Sequence, residues 1–115
     1  MLNTEEKTRA VVAALEDIKA SNITVIDTSK LSSLFERMVI ASAQSTRQTR
    51  ALADHVQEQL RLHGEKALGV EGSDPGEWVL VDLGDVVVHI MQPAVRAHYN
   101  LEELWGMQHL PRAAA

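Results

Sequence analysis

No cysteine occurs among the 115 residues. That excludes disulfides and thiolate metal sites, and it fits a reducing compartment. Aromatic residues are scarce: Phe35, Trp78, Tyr99 and Trp105 are the full set, so any core has to be aliphatic. No run approaches the roughly 20 apolar residues of a membrane span. The N-terminus is polar and acidic within its first six residues, unlike a signal or transit peptide. These features predict a soluble cytoplasmic protein with no membrane partner. Basic residues are also outnumbered, 11 against 16 acidic ones, for a formal net charge of −5. Non-specific nucleic-acid binding depends on Lys and Arg neutralising phosphates, so no direct dependence on nucleic acid is expected. A basic protein surface is the natural match for such a charge balance.

The clearest feature present is a pair of apolar runs, Trp78–Leu83 and Val86–Met91, separated only by Gly84-Asp85. A two-residue loop with glycine first reads as a primed hairpin turn, because Gly84 adopts positive φ without a Cβ clash. The turn sets the register: Leu83 opposite Val86, Val81 opposite Val88, Val79 opposite Ile90. Strand side chains alternate between faces, so these six share one apolar face. The opposite face pairs Asp82 with Val87, Leu80 with His89 and Trp78 with Met91. One face is core; the mixed one is where a partner is sought.

Upstream, Asn3 or Thr4 caps a first helix whose stripe is Val11, Ala14, Leu15 and Ile18. Ser21-Asn22 breaks it, Ile23–Thr28 reads as a strand, and Phe35–Ser42 as another. Ser45 or Thr46 caps a second helix with Thr49, Leu52, Val56 and Leu60 on its buried face, ending at Gly64. A short strand at Ala67–Val70 completes a strand–helix–strand crossover with its two strands parallel. Pro93 suits the first turn of a short helix, and Leu101, Leu104 and Trp105 add a last apolar turn. The expectation is an α/β single domain over residues 1–106, a five-stranded mixed sheet with a C-terminal hairpin and at least two packing helices. Residues 107–115 are expected to form a short flexible tail.

Four motifs, in order, carry a family resemblance from about Ile23 to Trp105. They are Ile26-Asp27-Thr28-Ser29-Lys30-Leu31-Ser32-Ser33; Ile40-Ala41-Ser42 with Ser45, Arg47-Gln48 and Ala51-Leu52-Ala53-Asp54; Gly69-Val70-Glu71-Gly72; and Gly76-Glu77-Trp78 through Asp82, Gly84-Asp85-Val86-Val87-Val88-His89-Ile90, then Arg96, Tyr99, Leu101-Glu102 and Leu104-Trp105. On these the chain resembles the ribosomal silencing factor family, also called RsfS or Iojap-like. It departs from the pattern at Ala43, Glu36-Arg37, Met91 and Asn100, outside the Trp78–His89 segment. The resemblance implies a nucleotidyltransferase-like fold without its catalytic motif, and no enzymatic activity. It further implies binding to the large ribosomal subunit through ribosomal protein L-fourteen, which blocks the small subunit and lowers translation when nutrients are scarce. Organellar relatives assist large-subunit assembly.

With that resemblance, the expected partner-binding residues are Trp78, Asp82, Leu83, Gly84, Asp85 and His89, with Glu71, Glu77 and Tyr99 around them. Trp78 falls on the mixed face, and tryptophan is enriched at binding hot spots. Leu83 faces the core by register but borders the turn, where a hairpin end is often open. Asp82 and Asp85 serve either turn chemistry or attraction to a basic surface. An enzymatic reading would give them a divalent metal, but the accompanying Gly-Ser loop and downstream acidic pair are absent. His89 reads more readily as a hydrogen-bonded structural residue than as a ligand, and the remaining histidines lack zinc-like spacing. Tyr99 reads first as packing against the sheet. No catalytic residue, metal or cofactor is expected; a homodimer is compatible, because a mixed sheet leaves edge strands to cover.

Overall fold

Residues 2–105 and 109–110 are described by a computed structural model. Chain order is α1 (Thr4–Asp17), β1 (Ser21–Asp27), β2 (Arg37–Ser42), α2 (Thr46–Leu62), β3 (Gly69–Glu71), β4 (Trp78–Asp82), β5 (Val86–Met91), α3 (Pro93–Tyr99), α4 (Leu101–Trp105) and β6 (His109–Leu110). The helices start where capping chemistry allows. Asn3 accepts from the Glu6 backbone N–H while the Glu6 carboxylate accepts from the Asn3 N–H, a reciprocal capping box. Ser45 accepts from the Gln48 N–H at 3.1 Å and so caps α2.

The sheet order is β3-β4-β5-β2-β1-β6. The hairpin register is the one the turn predicts, with Trp78 opposite Met91, Val79 opposite Ile90, Leu80 opposite His89, Val81 opposite Val88 and Asp82 opposite Val87. β5 then pairs in parallel with β2, and β2 antiparallel with β1. β3 runs antiparallel to β4, hence parallel to β2 as the crossover predicts, but β4 and β5 lie between them. Two elements differ from expectation. The five expected strands are joined by a sixth, because His109–Leu110 pairs with Ile26 and Val25 along the outer edge of β1. The rest of the expected 107–115 tail lies outside the described residues. β1 begins at Ser21, two residues before the expected Ile23: Asn22 takes φ +49° and the register shifts between Ser21 and Thr24. Asn tolerates this left-handed conformation better than most residues, and a bulge absorbs the extra residue.

α1 and α2 cover one face of the sheet. Their Val11, Leu15, Leu52, Val56 and Leu60 meet Val39, Val79, Val81, Val88 and Ile90 in a wholly buried aliphatic core. Burying such side chains, at roughly 1.5–3 kcal/mol each, is the main force holding the layers together. The opposite face carries a smaller cluster, Ile26, Met38, Ile40 and Met91, closed by Phe35, Trp78, Val95 and Leu101. α3 and α4 make an elbow over it, jointed at Asn100 with φ +46°. Arg96 locks that elbow. It donates through Nε and Nη2 to the two Glu102 oxygens, each at 2.9 Å, and also to Ser42 Oγ, Thr24 Oγ1 and the Asn22 carbonyl. A planar guanidinium suits this task because its five donors are fixed in a fork.

Candidate functional site

The elbow covers only one end of the second face. Along β5 the side chains on that face go from Met91, wholly buried, through His89, 9% exposed, to Val87, half-buried. Past the elbow lies an open hollow of about 540 Å³. Leu80, Val87 and His89 make its floor, Leu34 and Phe35 one wall, Leu68 the other, with Asp82 and Gly84 at the turn end. Leu34 and Leu68 are 82% and 75% exposed. A smaller hollow of about 210 Å³ adjoins it, lined by Glu71, Gly72, Trp78, Leu80 and His89. Leu80 and His89 are shared, so the two form one apolar groove across the hairpin. Its charged lining residues are Asp82 and Glu71, both acidic. Gly72 brings the chain against β4: at φ +86° a Cβ there would stand 2.0 Å from the Trp78 carbonyl oxygen, which only glycine avoids.

Trp78 is half-buried between the covered and open parts. Its indole N–H donates to His89 Nδ1 at 2.8 Å, and its ring lies 4.8 Å from that of Tyr99, 55% exposed on α3. His89 is therefore hydrogen-bonded, and burial pushes its pKa down to about 4, so the imidazole is neutral at neutral pH. Tyr99 packs against the sheet, as expected, through the Trp78 ring of β4.

The acidic residues divide by task. Asp82 accepts from the Gly84 N–H at 2.9 Å, which is turn chemistry, while remaining at the groove's end. Asp85 points to the other side of the molecule, where it meets Lys7 Nζ at 2.6 Å and accepts from Thr4 Oγ1. Lys7 is buried; it also reaches Glu65 at 3.2 Å and the Leu83 carbonyl at 3.2 Å. Burial opposes the Lys7 charge, but hydrogen bonds to Asp85 and Glu65 outweigh it and hold its pKa above the usual lysine value. For Asp85 burial works upward, and Lys7 and Thr4 reverse it to leave the carboxyl below its usual range. Asp85 is thus held by an ion pair internal to the chain. Leu83, expected at an open hairpin end, is 5% exposed and lies in the main core. The turn closes tightly enough, with the Leu83 N–H donating to the Val86 carbonyl, to fold it inward. Glu71 and Glu77 are exposed near the Trp78 end, as expected of rim charges.

The groove thus brings together Trp78, His89, Asp82, Gly84 and Glu71, leaves Tyr99 and Glu77 beside it, and excludes the Leu83 and Asp85 side chains. Its walls, Leu34 and Leu68, are absent from the sequence-based set. Leu80 and Val87 were visible on the mixed face by alternation, whereas nothing local marks two loop leucines as neighbours of a hairpin. Among the described residues, no helix is long and apolar enough to cross a membrane.

Comparison with known proteins places this geometry in context. The profile of a family described as "Ribosomal silencing factor during starvation" matches residues 2–114. "Ribosomal silencing factor RsfS" of Chromobacterium violaceum is 54% identical over 104 residues, covering 90% of this chain and 85% of that protein. A crystal structure of a Chromobacterium violaceum protein superposes with a TM-score of 0.90 at 50% identity, covering 99% of this chain and 94% of the other. "Mitochondrial assembly of ribosomal large subunit protein 1" of Mus musculus is 31% identical over 101 residues, covering 85% of this chain and 44% of that protein.

Proposed function

The chain belongs to the ribosomal silencing factor family, and on that premise we propose that it represses translation as a non-catalytic, cytoplasmic docking protein. It binds the large ribosomal subunit through ribosomal protein L-fourteen and, once seated, stands where the small subunit would join. The observation that carries this reading is the apolar groove over β4 and β5, flanked by Leu34 and Leu68 and edged by acidic Asp82 and Glu71. Exposed apolar surface of this kind gains free energy when a partner covers it. Its acidic edge favours a basic partner, and ribosomal proteins have to be basic enough to sit on RNA phosphates. Trp78, with Tyr99 beside it, provides the rigid aromatic contact typical of hot spots. The enzymatic alternative needs Asp82 and Asp85 to share a metal; one instead caps its own turn, and the other is neutralised by Lys7.

The test is sedimentation with purified subunits. The wild-type chain is expected to travel with the large subunit and to lower the yield of joined particles. A Leu34→Glu/Leu68→Glu double variant, with wild-type circular dichroism, should stay at the top of the gradient. Co-sedimentation of that folded variant at wild-type affinity would remove the groove from the docking site. The Mus musculus relative, named for large-subunit assembly, favours a second reading in which the same docking serves assembly. Deletion cells that accumulate immature large subunits would establish that role, and a normal growing-cell ribosome profile would refute it.

A further inference from the structure

His89 carries a group that the fold itself does not use. The Trp78 indole N–H can only donate, so the His89 Nδ1 that receives it is the ring's acceptor. A neutral imidazole has one N–H, and with Nδ1 accepting it belongs to Nε2. Burial keeps the ring neutral. Nε2, the nitrogen not bonded to the ring carbon that carries the side chain, has no hydrogen-bond partner among the described residues. The residue is nine-tenths buried and lines both hollows of the groove. The groove therefore has an apolar floor with one fixed donor in it, whose proton Trp78 has placed.

We propose that His89 Nε2–H is the specificity-determining hydrogen bond of the docking groove, donated to a backbone carbonyl of an apolar segment of a basic protein. Trp78 is a positioning residue for it. The proposal rests on the groove being the docking surface and names what that surface recognises. A basic partner is favoured over a second copy of this chain because the charged lining residues are both acidic and the chain's net charge is −5, so two copies would oppose like charges. A carbonyl acceptor follows from the donor's buried place: a segment that filled the groove with apolar atoms alone would strip Nε2–H of water and leave it unpaired. Segments without an acceptor at that depth are rejected even when their shape fits.

Two amide variants separate the ring's two jobs. His89→Asn sets an amide oxygen near the Nδ1 position and keeps the Trp78 acceptor, but lacks a donor at the outer end. His89→Gln extends its amide to the Nε2 position and supplies the donor, while Trp78 loses its acceptor. Affinity for purified large subunits is expected to fall about tenfold to a hundredfold for His89→Asn, the range for an unpaired buried donor or acceptor. Its tryptophan emission should stay at the wild-type position. His89→Gln should bind within about threefold of wild type with shifted tryptophan emission, an order of effects that a purely structural histidine would not produce. Wild-type affinity for folded His89→Asn overturns the proposal; if His89→Asn does not fold, loss of binding by folded His89→Gln overturns it. The Leu34→Glu/Leu68→Glu variant distinguishes the two failures. If it loses binding while His89→Asn keeps it, the groove docks without His89; if both bind normally, the docking surface lies elsewhere.

Discussion

The two faces of one sheet are built to different standards. Under α1 and α2 every inward side chain of the hairpin is buried, from Val79 and Ile90 at one end to Leu83 and Val86 at the turn. On the reverse, burial runs out along the strands, with Met91 closed in, His89 nearly so and Val87 half open. The same two strands, with the same alternation, supply both. What differs is the cover: two helices of 14 and 17 residues on one side, and an elbow of 7 and 5 residues on the other. A face left short of cover either destabilises the fold or serves a partner. Here the uncovered part is bounded by acidic groups and contains a pre-oriented donor, features that stability alone does not call for.

Four substitutions or conditions sharpen that contrast. The largest effect belongs to the covered face: Ile90→Ala should cost about 4 kcal/mol by chemical denaturation, within the range for a large-to-small change in a closed core. A cost under about 1 kcal/mol would mean that this face is no better packed than the other. Next comes pH. The His89 pKa is depressed in the folded state, so the unfolded chain takes up the proton first. The stabilisation is complete above about pH 6.5, the usual histidine value, and is lost as pH falls to about 4. At about 1.4 kcal/mol per pKa unit the loss approaches ~3 kcal/mol. Asp27, Glu65 and Asp85 have lowered pKa values and add their own acid loss. The His89 share is therefore the difference between wild-type and His89→Gln stability curves, and identical pH slopes would refute it.

Lys7→Met should cost about 2 kcal/mol. It leaves Asp85 and Glu65 without their cation, a penalty reduced from that of a fully buried pair because Asp85 is partly exposed. Large-subunit binding by the folded variant should be unchanged, since this ion-pair cluster is apart from the groove; weakened binding would show that the two are coupled. Smallest is the stability change of Leu34→Glu/Leu68→Glu, within about 0.5 kcal/mol as for exposed positions generally. A larger loss would mean that the groove walls belong to the core after all.

The hairpin was legible because two short-range rules, strand alternation and the demands of a two-residue turn, together determine register. They identified the six core residues and the mixed face, and Asn3 and Ser45 proved to be the caps because their side chains reach first-turn N–H groups, those of Glu6 and Gln48. Contacts made across sequence were beyond those rules. Nothing in its local sequence sets Lys7 apart from an ordinary helix lysine; its buried charge is matched by Asp85, 78 residues away. That partnership ties Asp85 into an ion pair within the chain. Trp78 and His89 were placed on one face, but which His89 nitrogen accepts the indole N–H depends on ring orientations that alternation does not specify. For Leu83 the register placed the side chain on the core face, and that reading outweighs its nearness to the turn, because the hairpin closes tightly there. The two short C-terminal helical pieces were expected from Pro93 and the last apolar turn, but α3 and α4 are too short to show a stripe that would say which part of the sheet they cover.

The parallel pairing of β2 with β5 has a consequence for how the chain is made. Arg37 and Val86 are ladder partners although 49 positions separate them (86 − 37), so the loop between them must be closed before any of that pairing is gained. During synthesis β1 and β2 emerge together and can pair, but the other side of β2 waits for nearly half the chain. Until Val86–Met91 appears, Met38-Val39-Ile40-Ala41 presents an apolar edge to its surroundings, the kind of edge that recruits foreign strands. The β4–β5 hairpin needs only local pairing, so the vulnerable interval extends no further than the completion of β5 and its pairing with β2.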